Sequence, residues 1–250
     1  MDDPAPPTSS KRPRELLLLK LLPNMVSILG LCAGLTAVRF ALIGWFELAI
    51  LLIGTAAVFD GLDGRLARML KSESAMGAEI DSLGDFVNFG VVPGLVLYLW
   101  GLRPETSLGW IAVLVYVVCC MLRLARFNVG IKRADDAAEK TTFVGVPSPA
   151  GAMLVLAPMY LTFMLDREIT LAAALVALWM VSIGALMISR IRTPSLKRVT
   201  VAADHARFVL VAGVALVAAM LTYPWVTLLS LAILYLGGIL WLWWRGALKR

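Results

Sequence analysis

Histidine is all but missing from this chain: the one copy, His205, sits in a basic connecting stretch. A metal site built on imidazoles and a Ser-His-Asp triad are therefore excluded as organising principles. Cysteine is scarce as well. Cys32, Cys119 and Cys120 all lie inside apolar runs, where thiols behave as small hydrophobes, so no disulfide framework is indicated. Charge is the third shortage: Asp, Glu, Lys and Arg make up 16% of 250 residues against 60% hydrophobic ones, at a mean hydropathy of +0.84. A soluble globule of that balance would expose far too much apolar surface, which implies a polytopic membrane protein. The net charge of +6 does not point to nucleic acid, because the basic residues fall in short clusters between apolar segments. Such clusters report topology first, and attract anionic membrane lipids second. There is no internal repeat, and no polar stretch large enough to form a soluble core of its own.

What is present is a series of long apolar runs. Residues 1–22 read as a lead-in: residues 1–15 are rich in Pro, Ser and charge and expected to be disordered, and Leu16 to Leu22, flanked by Lys11, Arg12, Arg14 and Lys20, could lie along the membrane surface. A cleaved signal is disfavoured because the run from Pro23 to about Ile43 is long for one, and Leu31 is too bulky to precede a lipoprotein cysteine at Cys32. The expected fold is an all-α membrane bundle of about eight transmembrane helices. Their bounds are Pro23 to Ile43, Trp45 to Leu70, Gly77 to Trp100, Leu108 to Arg126, Pro149 to Leu165, Ile169 to Ile188, Phe208 to Leu221 and Trp225 to Leu242. Residues 23–190 then form a six-helix core, and 191–250 a basic linker followed by a two-helix hairpin. With the amino terminus inside, only Arg39, Arg103 and Arg167 of the 23 Lys and Arg residues fall outside. Trp45, Trp100, Trp110 and Trp225 would mark the outer interface, and Trp241, Trp243 and Trp244 the inner one. The turn after the second span, Lys71 to Ser74, is then cytoplasmic, with Gly77 permitting a tight restart. Pro23 suits a helix start, with Asn24 and Ser27 as capping residues.

Against this apolar background stand four acids, Asp60, Asp63, Asp81 and Asp85, beside or within runs long enough to cross a bilayer. At about 100° per residue, each pair shares a helix face, so two helices can present four carboxylates to one point. Such a cluster needs protons or divalent cations, and an all-oxygen set suits Mg²⁺ or Mn²⁺. Gly64 and Gly77 open the backbone to a ligand and Arg68 offers a planar fork for phosphate, so the substrate is expected to be phosphorylated.

The pattern Asp60, Asp63-Gly64, Ala67-Arg68, Gly77, Asp81 and Asp85, at these fixed spacings, resembles the complete signature of the CDP-alcohol phosphatidyltransferase family. That resemblance implies transfer of the phosphatidyl group of CDP-diacylglycerol to an alcohol, with CMP leaving. It implies two Mg²⁺ or Mn²⁺ ions on the four aspartates, and Asp85 as the base for the acceptor hydroxyl. It also implies a CDP-diacylglycerol pocket lined by Gly64, Ala67, Arg68, Ser74 and Gly77, to which Asn24 and Ser27 contribute from the first helix. Members commonly form homodimers.

A second group, Arg123, Arg126 and Asn128, lies toward the cytoplasmic end of the fourth span. Snorkelling to the interface is one account of the arginines; holding a substrate carboxylate or phosphate is the other. This stretch, with Phe89 to Pro93 and Val144 to Ala150, resembles the family members that use L-serine as acceptor, and Asn88 stands where those members often have serine. Asn88, Arg123, Arg126 and Asn128 are the expected acceptor-binding residues. The charged segment from Ile131 to Thr142 reads as a solvated loop. Two rivals remain: a sister transferase using glycerol 3-phosphate, inositol phosphate or choline, with Lys132 and Arg133 as the extra cations, and a divalent-cation transporter. The clustering of the acids at one membrane face, beside Arg68 and glycines, disfavours transport. A multi-pass protein of the bacterial cytoplasmic membrane, with its active site facing the cytoplasm, is the expected setting.

Overall fold

Residues 13–102, 106–134, 145–165, 171–189 and 206–247 are described by a computed structural model, and all the regular structure among them is helical. Lys11, Arg12, Arg103, Arg167, His205, the charged residues Asp135, Asp136, Glu139 and Lys140, and linker residues 190–205 lie outside the described residues.

The first helix, α1 (Pro13–Leu42), starts ten residues before the expected Pro23 and runs through it. Pro13 loses nothing in the first turn, where its N–H would be unpaired anyway; Pro23 forgoes one hydrogen bond, but its fixed φ is helical. Asn24 and Ser27 are therefore mid-helix residues and cap nothing. Gly44, at φ 84°, turns the chain sharply into α2 (Phe46–Leu70), and Phe40 stacks on Trp45 at 5.7 Å. α1 and α2 form the most extensive helix pair, with Ala37, Ala49 and Ala56 fully buried along it. Small residues let helix backbones approach closely, which is what holds helices together where lipid removes the hydrophobic drive.

The restart after α2 does not depend on Gly77. Lys71 takes the left-handed conformation (φ 49°) and donates its N–H to the carbonyls of Ala67 and Arg68, while Ser74 caps α3 (Ala75–Asp85). Gly77 lies inside the first turn of α3. From there the chain continues through a wide π-type turn over Phe86–Val91, the short α4 (Val92–Leu97) and a second π-type turn over Tyr98–Leu102, a 28-residue rod in all. Pro93 accounts for the first wide turn: its ring crowds the carbonyl four residues back, that of Phe89, and offers it no N–H. Tyr116 supplies the missing donor, its hydroxyl reaching Phe89 O at 2.8 Å.

Tyr116 belongs to α5 (Thr106–Ala134), which packs along α8 (Ala173–Ile188). α5 continues past the expected end at Arg126, so residues 131–134 are helical and not part of a loop. The expected fifth span is two helices, α6 (Ser148–Val155) and α7 (Ala157–Met164), broken at Leu156 ahead of Pro158. α9 (Ala206–Thr222) and α10 (Pro224–Ala247) form the last hairpin, with α10 lying on α7 and touching α6. Phe163 sits between Trp100, at 6.5 Å, and Trp225, at 5.0 Å, gathering two of the expected belt tryptophans at one end of the bundle.

Four of these segments are long and apolar enough to cross a membrane, Leu21–Leu42, Ala75–Leu102, Ser107–Gly130 and Pro224–Trp241; Ser148–Met164, Ala173–Ile188 and Phe208–Thr222 are apolar but shorter. The long helix missing from the first group is α2, which carries Glu47, Asp60, Asp63, Arg65 and Arg68. The protein is an integral membrane protein with an all-α fold. Its large exposed side chains, Leu51, Val58, Leu175, Leu210 and Leu221 among them, suit a lipid environment and would be a liability in water. The three cysteines are free, Cys119 and Cys120 buried in the core.

Candidate active site

The acidic residues meet where α1, α2 and α3 converge. Periodicity puts Asp60 and Asp63 on one face of α2, and Asp81, Asp85 and Asn88 on one face of the rod that α3 begins. One carboxylate oxygen from each of Asp60, Asp63 and Asp81 lies within 4.8 Å of the other two. Asp85 lies beside Asp60 and lines the same pocket, together with Ser27, Gly30, Gly84 and Asn88. The void between them is about 10 Å³, close to the smallest space that holds one water-sized body.

At that separation, with an effective dielectric constant near 20, each pair of ionised carboxylates repels by roughly 3 kcal/mol. Ser27 relieves one of them, donating its hydroxyl to Asp63 Oδ2 at 2.5 Å. Three further oxygens in the pocket have no donor among the described residues: Asp63 Oδ1, Asp85 Oδ1 and Asn88 Oδ1. Asp63 and Asn88 are each only 4% exposed. Buried acceptors without donors are costly, and a convergent set of them is what a hard divalent cation requires. The residues present therefore fit a Mg²⁺- or Mn²⁺-type ion.

The residues expected around the nucleotide gather about the turn between α2 and α3. Ser74 Oγ accepts the Gly77 N–H at 3.0 Å, and a β-carbon added to Gly77 would lie 3.0 Å from Asn24 Oδ1 and 3.1 Å from Ser74 Oγ. The bare backbone of Gly77 is thus what allows α1 to place Asn24 against the start of α3. Arg68 is exposed and its guanidinium turns back toward Gly64, at 3.8 Å from where a β-carbon there would be. Ala67 is half-buried and its carbonyl is engaged in ending α2. Ser27 sits with the acids rather than with Asn24.

The acceptor group divides. Arg123 is buried at 8% exposure, with Nη1 on Ser148 Oγ at 3.0 Å and the Phe127 ring centred 5.8 Å from its guanidinium carbon. Arg126 is exposed and donates to the Ile188 carbonyl at 3.0 Å, binding the last turn of α8, where a helix presents its negative end. The two arginines thus do not act as one pair. Asn128 donates to Ser82 Oγ at 3.0 Å, between Asp81 and Asp85 in the chain, and so braces the acidic rod from α5. Gly30, Gly84, Ser82 and Ser148 join the site without having been expected. Gly84 and Ser82 lie inside the motif and were open to discovery; the others depend on contacts between distant helices.

The model of the CDP-alcohol phosphatidyltransferase family matches residues 20–188, which spans α1 to α8. Among curated proteins, the chain is 40% identical over 230 residues to the CDP-diacylglycerol--serine O-phosphatidyltransferase of Mycobacterium leprae (strain TN), covering 92% of this chain and 76% of the relative. It is 38% identical over 229 residues to the protein of that name from Mycobacterium tuberculosis (strain ATCC 25618 / H37Rv), covering 90% and 79%. The Bacillus subtilis (strain 168) protein of the same name is 34% identical over 181 residues, 72% of this chain and 93% of the relative.

Proposed function

The chain belongs to the CDP-alcohol phosphatidyltransferase family, and from that premise we propose that it transfers the phosphatidyl group of CDP-diacylglycerol to the hydroxyl of L-serine, giving phosphatidylserine and CMP. The observation that carries the reading is the convergence of Asp60, Asp63, Asp81 and Asp85 on one pocket that also holds unpartnered oxygens. The relatives named for the serine reaction support the choice of acceptor.

Asp60, Asp63, Asp81 and Asp85 would hold Mg²⁺ or Mn²⁺, two ions on this reading, which supply positive charge to the pyrophosphate and the departing CMP. Ser27 orients the Asp63 carboxylate by its hydrogen bond. Asn24, Gly64, Ala67, Arg68, Ser74 and Gly77 line the nucleotide side, with Arg68 as the phosphate fork. Asp85 Oδ1, buried and without a donor among the described residues, takes the proton of the serine hydroxyl. The freed oxygen forms a bond to the phosphorus bearing diacylglycerol as the bond from that phosphorus to CMP breaks. Arg123 holds the serine carboxylate, and Asn88 lies next to the reacting hydroxyl. The acyl chains reach the site sideways between helices, which is why such an enzyme is embedded in the bilayer.

On the same reading the chain crosses a bacterial cytoplasmic membrane eight times with the site on the cytoplasmic side, and works as a homodimer. The test is CMP release from CDP-diacylglycerol by detergent-purified protein with Mn²⁺ or Mg²⁺, offered L-serine, glycerol 3-phosphate, inositol phosphate or choline. Serine-dependent release that falls at least a hundredfold in Asp85→Asn supports acceptor and base together. Release driven by a different acceptor would replace serine in the reaction, and none with any acceptor would remove the transferase reading.

A further inference from the structure

The orphan atoms of this site are of two kinds, and they are segregated. Those on the rod and α2, in Asp63, Asp85 and Asn88, are acceptors and suit cations or a hydroxyl proton. Two more buried side-chain atoms without a partner among the described residues are donors: Arg123 Nε and the Tyr235 hydroxyl. Arg123 is held in place from two sides, by Ser148 and by the ring of Phe127, so its Nε–H is presented in a fixed direction. Tyr235 comes from the far end of the sequence, on α10, and lies within electrostatic reach of Arg123, as does Asp85. α10 lies on α7 and touches α6, the helix that begins with Ser148, the partner of Arg123.

Leaving a buried donor unpaired is costly, and two of them on helices that both touch α6 are best explained by a ligand that accepts from both. A carboxylate has two oxygens and accepts several hydrogen bonds. L-serine, the acceptor of the reading above on which this inference rests, carries one, three bonds from the hydroxyl oxygen that Asp85 would deprotonate. We propose that Tyr235 on the C-terminal hairpin binds the carboxylate of the acceptor together with Arg123, and so selects an amino acid over an amino alcohol without that group. Residue 235 lies beyond the family match, which ends at residue 188, so the hairpin adds a specificity contact to a core that already holds the arginine.

Tyr235→Phe removes the hydroxyl and little else. Serine-dependent CMP release by the full-length protein should show the KM for L-serine raised about tenfold to a hundredfold, with kcat and the KM for CDP-diacylglycerol little changed. The decisive readout is the ratio of kcat/KM for L-serine to that for ethanolamine, which is serine without its carboxylate. A partly unfolded preparation lowers both rates equally and leaves the ratio intact, whereas loss of a carboxylate contact lowers it by the same tenfold to hundredfold. Combined with Arg123→Lys, the loss in serine affinity should be smaller than the product of the single effects, since both side chains serve one group. Wild-type protein that uses serine, with a Tyr235→Phe ratio equal to its own, overturns this proposal alone. Wild-type release with glycerol 3-phosphate and none with serine overturns the acceptor reading and this proposal with it.

Discussion

Ser27 shows how much one hydroxyl can decide. Its place in the middle of α1, where polar side chains usually return their proton to the helix carbonyl four residues back, gave no hint of a role beyond capping or lining the nucleotide. The Oγ lies 3.2 Å from the Pro23 carbonyl and 2.5 Å from Asp63 Oδ2, so it is shared between its own helix and the acidic pocket. Side chains that orient a ligating carboxylate typically contribute ten- to a hundredfold in metal affinity. Ser27→Ala should therefore raise the Mn²⁺ concentration giving half-maximal CMP release by about that factor, with the KM for CDP-diacylglycerol unchanged; a shift in the lipid KM instead would return Ser27 to the nucleotide pocket. Arg126 makes the opposite point. By spacing it was the equal of Arg123, yet one guanidinium is buried on Ser148 and the other ties down α8. Three residues of helix put them on roughly the same face, but only the neighbouring helices determine what that face meets.

The rod from α3 to α4 is the element on which the site depends, because it carries Asp81, Asp85 and Asn88 in sequence and then departs from α-helical geometry. Pro93 was visible in the sequence, but not that its cost would fall on the Phe89 carbonyl, nor that Tyr116 would meet it from α5. Gly34 belongs to the same arrangement: a β-carbon there would collide with the Asn88 side-chain oxygen, so α1 must be bare where the rod comes closest. Tyr116→Phe keeps the ring and leaves that buried carbonyl without its donor, a loss of about 1–3 kcal/mol. Thermal unfolding in detergent should move down by several degrees while the serine and lipid KM values stay within about twofold. A KM change without a change in melting would mean that the wide turn, and not the stability of the rod, is what Tyr116 controls.

For the whole molecule, the acidic cluster is a source of instability that its ligand removes. Three carboxylates within 4.8 Å, each ionised pair repelling by roughly 3 kcal/mol, oppose the folded state until protons or a cation offset their charge. Saturating Mn²⁺ should raise the melting temperature, by linkage worth about 2.7 kcal/mol at a hundred times Kd, and EDTA should reverse it. Asp60→Asn should melt higher than wild type in EDTA and lose most of the Mn²⁺ shift; equal melting in EDTA would mean that the metal-free cluster carries fewer than three charges. The sequence by itself determined the environment, the helical class and the four acids, since hydropathy and helical spacing are local properties and the motif occupies 26 consecutive residues. It determined Gly77 as a point of close approach, though not that Asn24 is what approaches. Tertiary structure alone decided that α1 runs unbroken through Pro23, that Ser27 turns to Asp63, that the arginines part, and that α10 packs on α7 and α6. Each of those depends on which distant helices lie side by side, and that is set by the packing of whole faces, to which no single stretch of sequence holds the key.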